Sequence, residues 1–237
     1  MLWNEFNIKT FPAETIVFRD GIFQPELSTL SSVASRQSPV VRIGQFYELP
    51  IHVIYVGEIE NQNNLEIDIS DDSRHTTGDS VDRRLFLTIK ILNKKPAFFN
   101  IFIKNAGENS LVHSTILVQN YADLEIDVTA THLAENTGIF IKTKIVAHHE
   151  SKTKVTGAAN INPDCKNCES EISLAALADP SAIIEFKPWQ LIAAAPKSAE
   201  HSAAIYHGTA PQIEYLRTAG LGTTEIKKAL EEAFLND

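Results

Sequence analysis

Two cysteines and eight histidines are the side chains of this chain best suited to metal or redox chemistry. The cysteines form a C-x-x-C motif, Cys165 and Cys168, in a polar stretch. This spacing suits a metal knuckle for zinc or iron, or a redox dithiol. A tetrahedral site needs two further ligands, and the nearest candidates in the sequence are His148, His149 and Glu150. A metal-binding or redox protein is therefore one alternative, and a pair of incidental thiols is the other.

His201 is a further candidate ligand, because a neutral imidazole is a good ligand for iron. The competing interpretation is a histidine at the end of a strand that is hydrogen-bonded or exposed. The adjacent His148 and His149 would point to opposite faces of a strand, so we interpret them as a strand end. The sequence contains no Walker A, G-x-S-x-G or H-E-x-x-H motif, and we expect a binding or scaffold protein that is not itself an enzyme.

The composition excludes several classes of partner. The chain has 237 residues and a formal net charge of −9, with no basic stripe to contact phosphates, so we expect no nucleic acid. No uncharged apolar run approaches about 18 residues, which predicts no transmembrane helix. The first residues lack the basic and apolar regions of a signal peptide. A cytoplasmic protein without a membrane partner is the expectation.

An alternation of apolar and polar residues dominates the middle of the chain. Leu85, Leu87, Ile89 and Ile91 show it well, and helical periodicity is missing between residues 60 and 200. This pattern predicts many short strands that each bury one face in a core. The class is therefore mainly β, but the pattern leaves a sandwich, a barrel and a β-solenoid open, and no repeat of fixed period is present.

The end of the chain changes to two short helices. Thr209 and Pro211 suit the start of the first helix, and Gly220 suits its end. The second helix has an apolar stripe at helical spacing, formed by Ile226, Ala229, Leu230, Ala233 and Phe234. Such a pair is marginal alone in water and must pack on the β body, on a partner, or on both. We divide the chain into a β core at 1–208 and a helical segment at 209–237.

Three segments in order resemble the SufB/SufD family, the scaffold subunits of the Suf iron–sulfur cluster assembly system. Residues 17–28, VFRDGIFQPELS, are similar to the opening segment of SufD proteins, and residues 50–56, PIHVIYV, are similar to the strand that follows it. The third segment, residues 173–234, carries Asp179, then His201, then the Tyr-Leu-Arg triplet at 215–217 and the last helix. Residues 60–170 resemble the family in strand character alone.

The resemblance implies a right-handed parallel β-helix with terminal helices. It implies that the C-terminal helices hold an ABC-type ATPase, SufC, and that the β-helix pairs with a SufB/SufD-type subunit or with a second copy. It implies no stably bound cofactor, with iron or a transient iron–sulfur cluster handled near His201. The side chains that we expect to bind the ATPase partner are Ile213, Tyr215, Leu216, Leu221, Ile226, Leu230 and Phe234.

Two positions depart from the SufB pattern. Ser173 stands where SufB proteins carry a cysteine, and Ser202 stands where they carry a glutamate after the signature histidine. Both differences favour a SufD-like member. The alternatives are a metal-binding or redox protein that uses Cys165 and Cys168, and a β-solenoid interaction module unrelated to iron. Since the long helical N-terminal region of full SufD proteins is not found in this sequence, we expect a short member of the family.

Overall fold

The computed structural model describes residues 14–19, 22–23, 40–43, 51–57, 62–69 and 83–236, with side chains from residue 84 onward. The described part is mainly β and ends in two helices, which confirms the predicted class. The strands are β1 (Glu14–Arg19), β2 (Ile22–Phe23), β3 (Val40–Ile43), β4 (Ile51–Gly57), β5 (Gln62–Ile69), β6 (Arg83–Asn93), β7 (Ala97–Asn105), β8 (Ser110–Asn120), β9 (Leu124–His132), β10 (Gly138–Ala147), β11 (Lys152–Ile161), β12 (Glu169–Ala178), β13 (Ile183–Ile192) and β14 (Ser198–Tyr206). The helices are α1 (Ala210–Thr218) and α2 (Thr223–Asn236).

From β2 onward, successive strands alternate between two sheets. Sheet A has the order β14-β12-β10-β8-β6-β4-β1-β2, and sheet B has the order β13-β11-β9-β7-β5-β3. Every described pairing is parallel except β1 with β2. Because each strand from β3 to β12 pairs with the strand two positions later, the chain winds as a β-solenoid. The solenoid is therefore confirmed, and the sandwich and the barrel are set aside.

The turns of the solenoid differ in length, although the strand register stays continuous. Leu85 pairs with Val112, which is 27 residues later. Ile139 pairs with Ser170, which is 31 residues later. The extra residues lie in the corners between the strands, so the inward-facing positions of one turn still stack on those of the next.

The core lies between the two sheets. In β8, β9 and β12 nearly every second side chain is buried, as expected for strands that turn one face inward. Leu87, Ile101 and Ile145 are among the fully or almost fully buried members. Strand β10 differs, because Lys144 and Val146 on its outward face are buried as well. These two side chains are buried because helix α2 covers the outer face of sheet A at this strand.

The helix pair begins with a well-formed cap. The Thr209 side chain accepts from the backbone N–H of Gln212, and the Gln212 side chain accepts from the backbone N–H of Thr209. Helix α1 ends before Gly220, whose φ of 89° lies in the left-handed region that glycine tolerates. These features confirm the predicted start and end of α1. Within the described residues, no helix is long and apolar enough to cross a membrane.

Candidate functional site

The last turn of the solenoid, β13 and β14, has one uncovered side. In the described part of the chain, β13 pairs only with β11 and β14 only with β12, so each is an edge strand. Neither strand has a buried side chain: β13 alternates between exposed and half-buried positions, and several large apolar side chains are exposed. They are Ile183, Trp189, Leu191, Ile192, Ile205 and Tyr206. An exposed apolar edge of this kind is typical of a surface that another chain covers.

His201 lies in the middle of β14 on this last turn. The register places it opposite Ile172 of β12, which is fully buried, so His201 occupies an inward-facing position. It is nevertheless exposed, because it belongs to the final turn. The Gln190 side chain of β13 donates to the backbone carbonyl of Glu200, 2.8 Å away, and ties the two last strands together beside His201. Its role as an iron ligand stays a prediction.

The two positions that depart from the SufB pattern are neighbours in space. Ser173 of β12 pairs with Ser202 of β14, and their hydroxyl oxygens lie 3.2 Å apart in a hydrogen bond. The register therefore places these two positions next to each other, so a cysteine and a glutamate at them would lie side by side. In this chain it holds two hydroxyl groups, which are weak ligands for iron.

Helix α2 packs its apolar stripe on the outer face of sheet A. Ile226 is 4% exposed, while Leu230 and Phe234 are half-buried. A cavity of about 320 Å³ lies between the helices and the sheet, and its apolar lining includes Val146, Leu177, Ile213, Ile226 and Leu230. The Phe234 ring lies 6.0 Å from the Tyr206 ring of β14. The apolar stripe predicted from sequence therefore packs on the β body of the same chain.

Two polar contacts hold the ends of α2. Lys144 of β10, which is almost fully buried, donates from Nζ to the Phe234 carbonyl oxygen at 2.7 Å, and Nζ lies 5.4 Å from the Phe234 ring centre. A cation at the carbonyl end of a helix is favourable because of the helix dipole. Near the other end, Lys227 donates to the Asp179 carboxylate at 2.7 Å. Burial acts to raise the pKa of Asp179, but the hydrogen bonds from Lys227 and from the His149 N–H lower it on balance.

Helix α1 is more exposed than α2. It has no buried residue, and Ile213 and Leu216 are half-buried. Tyr215 is 74% exposed, and Leu221 in the loop to α2 is half-buried. The seven side chains that sequence reasoning assigned to partner binding thus divide into those that meet the sheet and those that face outward, with Tyr215 the most exposed.

The cysteines lie buried in the corner between β11 and β12. Cys165 and Cys168 are 2% and 0% exposed, and both are free. The Cys165 thiol donates to the His132 carbonyl oxygen, while the Cys168 sulfur lies 3.2 Å from the Thr137 hydroxyl, which also contacts His132 Nδ1. Burial, followed by the nearby Cys168, raises the pKa of the Cys165 thiol. A buried thiol with a raised pKa, as at Cys165, is a poor nucleophile and a poor ligand, and the metal or cluster role of the two cysteines stays a prediction.

The further ligands suggested for these cysteines are wrong. His148, His149 and Glu150 lie in the corner between β10 and β11, at the opposite end of strand β11. The ten residues of that strand span about 33 Å. Among the described residues, no group of three or more histidine, cysteine or acidic side chains is arranged to hold a metal ion.

A comparison with protein families identifies the solenoid. Residues 92–234 match the model of "SUF system FeS cluster assembly, SufBD core domain", which is more than half of the chain. The chain belongs to the SufBD family. Its membership gives it a role in iron–sulfur cluster assembly by the Suf system, and no curated protein sequence matches it.

Sequence reasoning missed several side chains that organise this SufBD core domain. Lys144 and Asp179 bind α2 from the solenoid, and Glu231 of α2 faces His148, yet each is a charged residue at a position where a solvent-exposed charge is ordinary. His148 was interpreted only as a strand end, which is correct because β10 ends at Ala147. The one available signal was the spacing of the apolar stripe on α2, which requires a covering surface but does not identify it.

Proposed function

We propose that this chain is a SufD-like scaffold subunit that acts in the cytoplasm, binds a SufC-type ABC ATPase and pairs with a SufB/SufD-type subunit or a second copy. The observation that carries the proposal is the SufBD core match over residues 92–234, which includes the last turn, α1 and all but the last two residues of α2. The chain supplies no catalysis of its own in this proposal. ATP-driven closure of the ATPase moves two scaffold subunits against each other, and iron or a nascent cluster passes as cargo between them.

The ATPase contact is proposed on the outward side of the helix pair. Tyr215 projects into solvent, and tyrosine is among the residues enriched at binding hot spots. The stripe on α2 supports this contact indirectly, since it fixes the helix pair on the sheet. Changes on α1 should therefore weaken binding directly, and changes in the stripe should weaken it by loosening the helices.

Binding of a purified SufC-type ATPase tests this contact. Tyr215→Ala should weaken binding at least tenfold, the loss expected for a hot-spot tyrosine. Leu133→Ala is the matched control, because Leu133 is a 44% exposed apolar residue in a corner outside the helices. Equal affinity of wild type, Tyr215→Ala and a variant that loosens α2 would refute the proposed contact.

The second subunit is proposed to cover the last turn. The exposed apolar side chains and unpaired strand edges of β13 and β14 support this position. Light scattering after size exclusion should show a dimer for wild type, alone or with a SufB-type chain. Leu191→Lys should give monomers, because Leu191 is 60% exposed on β13 and a lysine would be buried in the interface. Leu133→Lys should leave the dimer intact, and a wild type that is monomeric both alone and in the mixture would contradict the pairing.

His201 is proposed to contact the cargo at this interface. The family position of this histidine and its exposure on the last turn support the role, while Ser202 and its partner Ser173 lie on the opposite face of the sheet and offer no strong ligand. His201→Ala should lower cluster loading of the reconstituted complex without changing its assembly. Unchanged loading would remove His201 from the proposal and leave the scaffold role in place.

A further inference from the structure

The corner after β10 lies beneath α2 and contains a buried histidine. His148 is 4% exposed, and its ring stacks on the Tyr121 ring with centroids 4.0 Å apart and planes 7° from parallel. Its backbone N–H donates to the Asn120 carbonyl, so the histidine belongs to the solenoid and not to the helix. Above it, Glu231 of α2 places Oε1 at 3.6 Å from His148 Nδ1. The imidazole is therefore part of the contact between α2 and the solenoid.

The polar atoms of this contact are incompletely paired. Within the described residues, His148 Nε2 and Glu231 Oε1 are both buried without a hydrogen-bond partner. The 3.6 Å between Nδ1 and Oε1 is also longer than a hydrogen bond. Buried polar atoms left in this state make a contact sensitive to the charge of each group.

Charged and titratable groups face His148 from each element around it. In the docked arrangement Lys227 already neutralises Asp179, and a proton on His148 would add a second cation next to Lys227. The groups are Tyr121 and Asp123 in the corner after β8, His149 and Glu150 beside it, Asp179 in the corner after β12, and Lys227 and Glu231 on α2.

We propose that His148 is an acid-sensitive latch, and that its protonation releases α2 from the outer face of sheet A. With α2 docked, burial, aided by Lys227, lowers the pKa of His148 to about 4. When α2 leaves, the cover is lost and the pKa returns toward the ordinary value of about 6.5. Below pH 6.5 the released form therefore binds a proton that the docked form does not, and acid favours release.

Glu231 acts in the opposite direction. Burial raises the pKa of its carboxyl above the ordinary value, so the docked form takes up a proton there before the released form does. Acid thus favours docking through Glu231 and release through His148. Glu231 therefore moderates the effect of His148. The latch concerns packing within the chain and stands whether or not α1 binds an ATPase.

Hydrogen exchange of the full chain, expressed as protection factors, tests the latch. In Glu231→Gln, which removes the opposing carboxyl, α2 protection should fall by up to about eightfold from pH 7 to pH 5.5, the factor given by pKa values of about 4 in the docked form and about 6.5 in the released form. Wild type should fall less. His148→Phe keeps a ring to stack on Tyr121 and should abolish the fall, whereas His149→Asn, which changes an exposed neighbour, should not.

Two outcomes of the exchange experiment would overturn the proposed latch. If acid strengthens α2 protection in wild type, His148 and Glu231 form an ion pair on protonation and the proposal is overturned. An equal fall in His148→Phe and wild type would assign the effect to another group and overturn it as well. An NMR titration of the His148 ring protons gives an independent result, because the latch requires a midpoint well below 6.5 in the folded protein.

Discussion

Ile226→Ala should release α2 without unfolding the solenoid. Ile226 is the one buried residue in the helix pair, at 4% exposure. The substitution removes three carbons, each worth about 0.8 kcal/mol when buried, and leaves a cavity that the sheet cannot fill completely. We therefore expect α2 docking to weaken by about 2–4 kcal/mol, which is about 30- to 700-fold in its equilibrium constant.

Native-state hydrogen exchange measures this change residue by residue. Amides of α2 should lose protection by that factor, because a helix of 14 residues is marginal once it leaves the sheet. Amides of β10 should keep theirs, since the ladders to β8 and β12 do not depend on the helix. Tyr215→Ala is the control and should leave α2 protection unchanged. Unchanged α2 protection in Ile226→Ala, or an equal loss in β10, would refute the description of α2 as a separately docked element.

Three further predictions concern the solenoid. Gly157→Ala should lower the free energy of unfolding, measured with a denaturant, by about 1–3 kcal/mol, because the new methyl would lie 2.7 Å from Ile172 Cγ2. Adding Ile172→Leu, which removes Cγ2, should recover part of this loss. His132 is buried with a pKa lowered to about 4, so it stays neutral when folded, and wild type should lose about 3 kcal/mol of stability through this group as the pH falls from above 6.5 to 4. His132→Gln should remove that part of the loss, and an unchanged pH profile would contradict the assignment. Cys165 should react with a thiol reagent only slowly until the protein is unfolded, and rapid labelling of the native protein would contradict its burial.

The strands were predictable from sequence, but the way they wind was not. Alternation assigns each side chain to a face, and it does so equally for a sandwich, a barrel and a solenoid. A solenoid usually reveals itself by a repeat, but the corners here absorb different numbers of residues, as the 27-residue step from Leu85 to Val112 and the 31-residue step from Ile139 to Ser170 demonstrate. The strands therefore stack regularly in the structure, although the sequence has no repeat of fixed length. The family resemblance supplied the topology that the pattern left open.

Only part of the candidate site was predictable from sequence. The spacing of Ile226 and Phe234 identified a face that must be covered, since both follow helical periodicity. The covering surface depends on contacts between distant parts of the chain, such as Lys144 with the Phe234 carbonyl, which are 90 residues apart. Lys144 has the same outward position in its strand as any solvated lysine. Only the docking of α2 distinguishes it.

The edge strands of the last turn have a consequence for cooperativity. In a linear stack each turn is stabilised only by its neighbours, so a terminal turn with one neighbour melts at lower free energy than the turns inside. Strands β13 and β14 are in this position in the described part of the chain. A subunit that binds the folded form of this turn and not its melted form therefore stabilises it by mass action. The melting temperature of the last turn becomes a measure of partner concentration, while that of the inner turns does not.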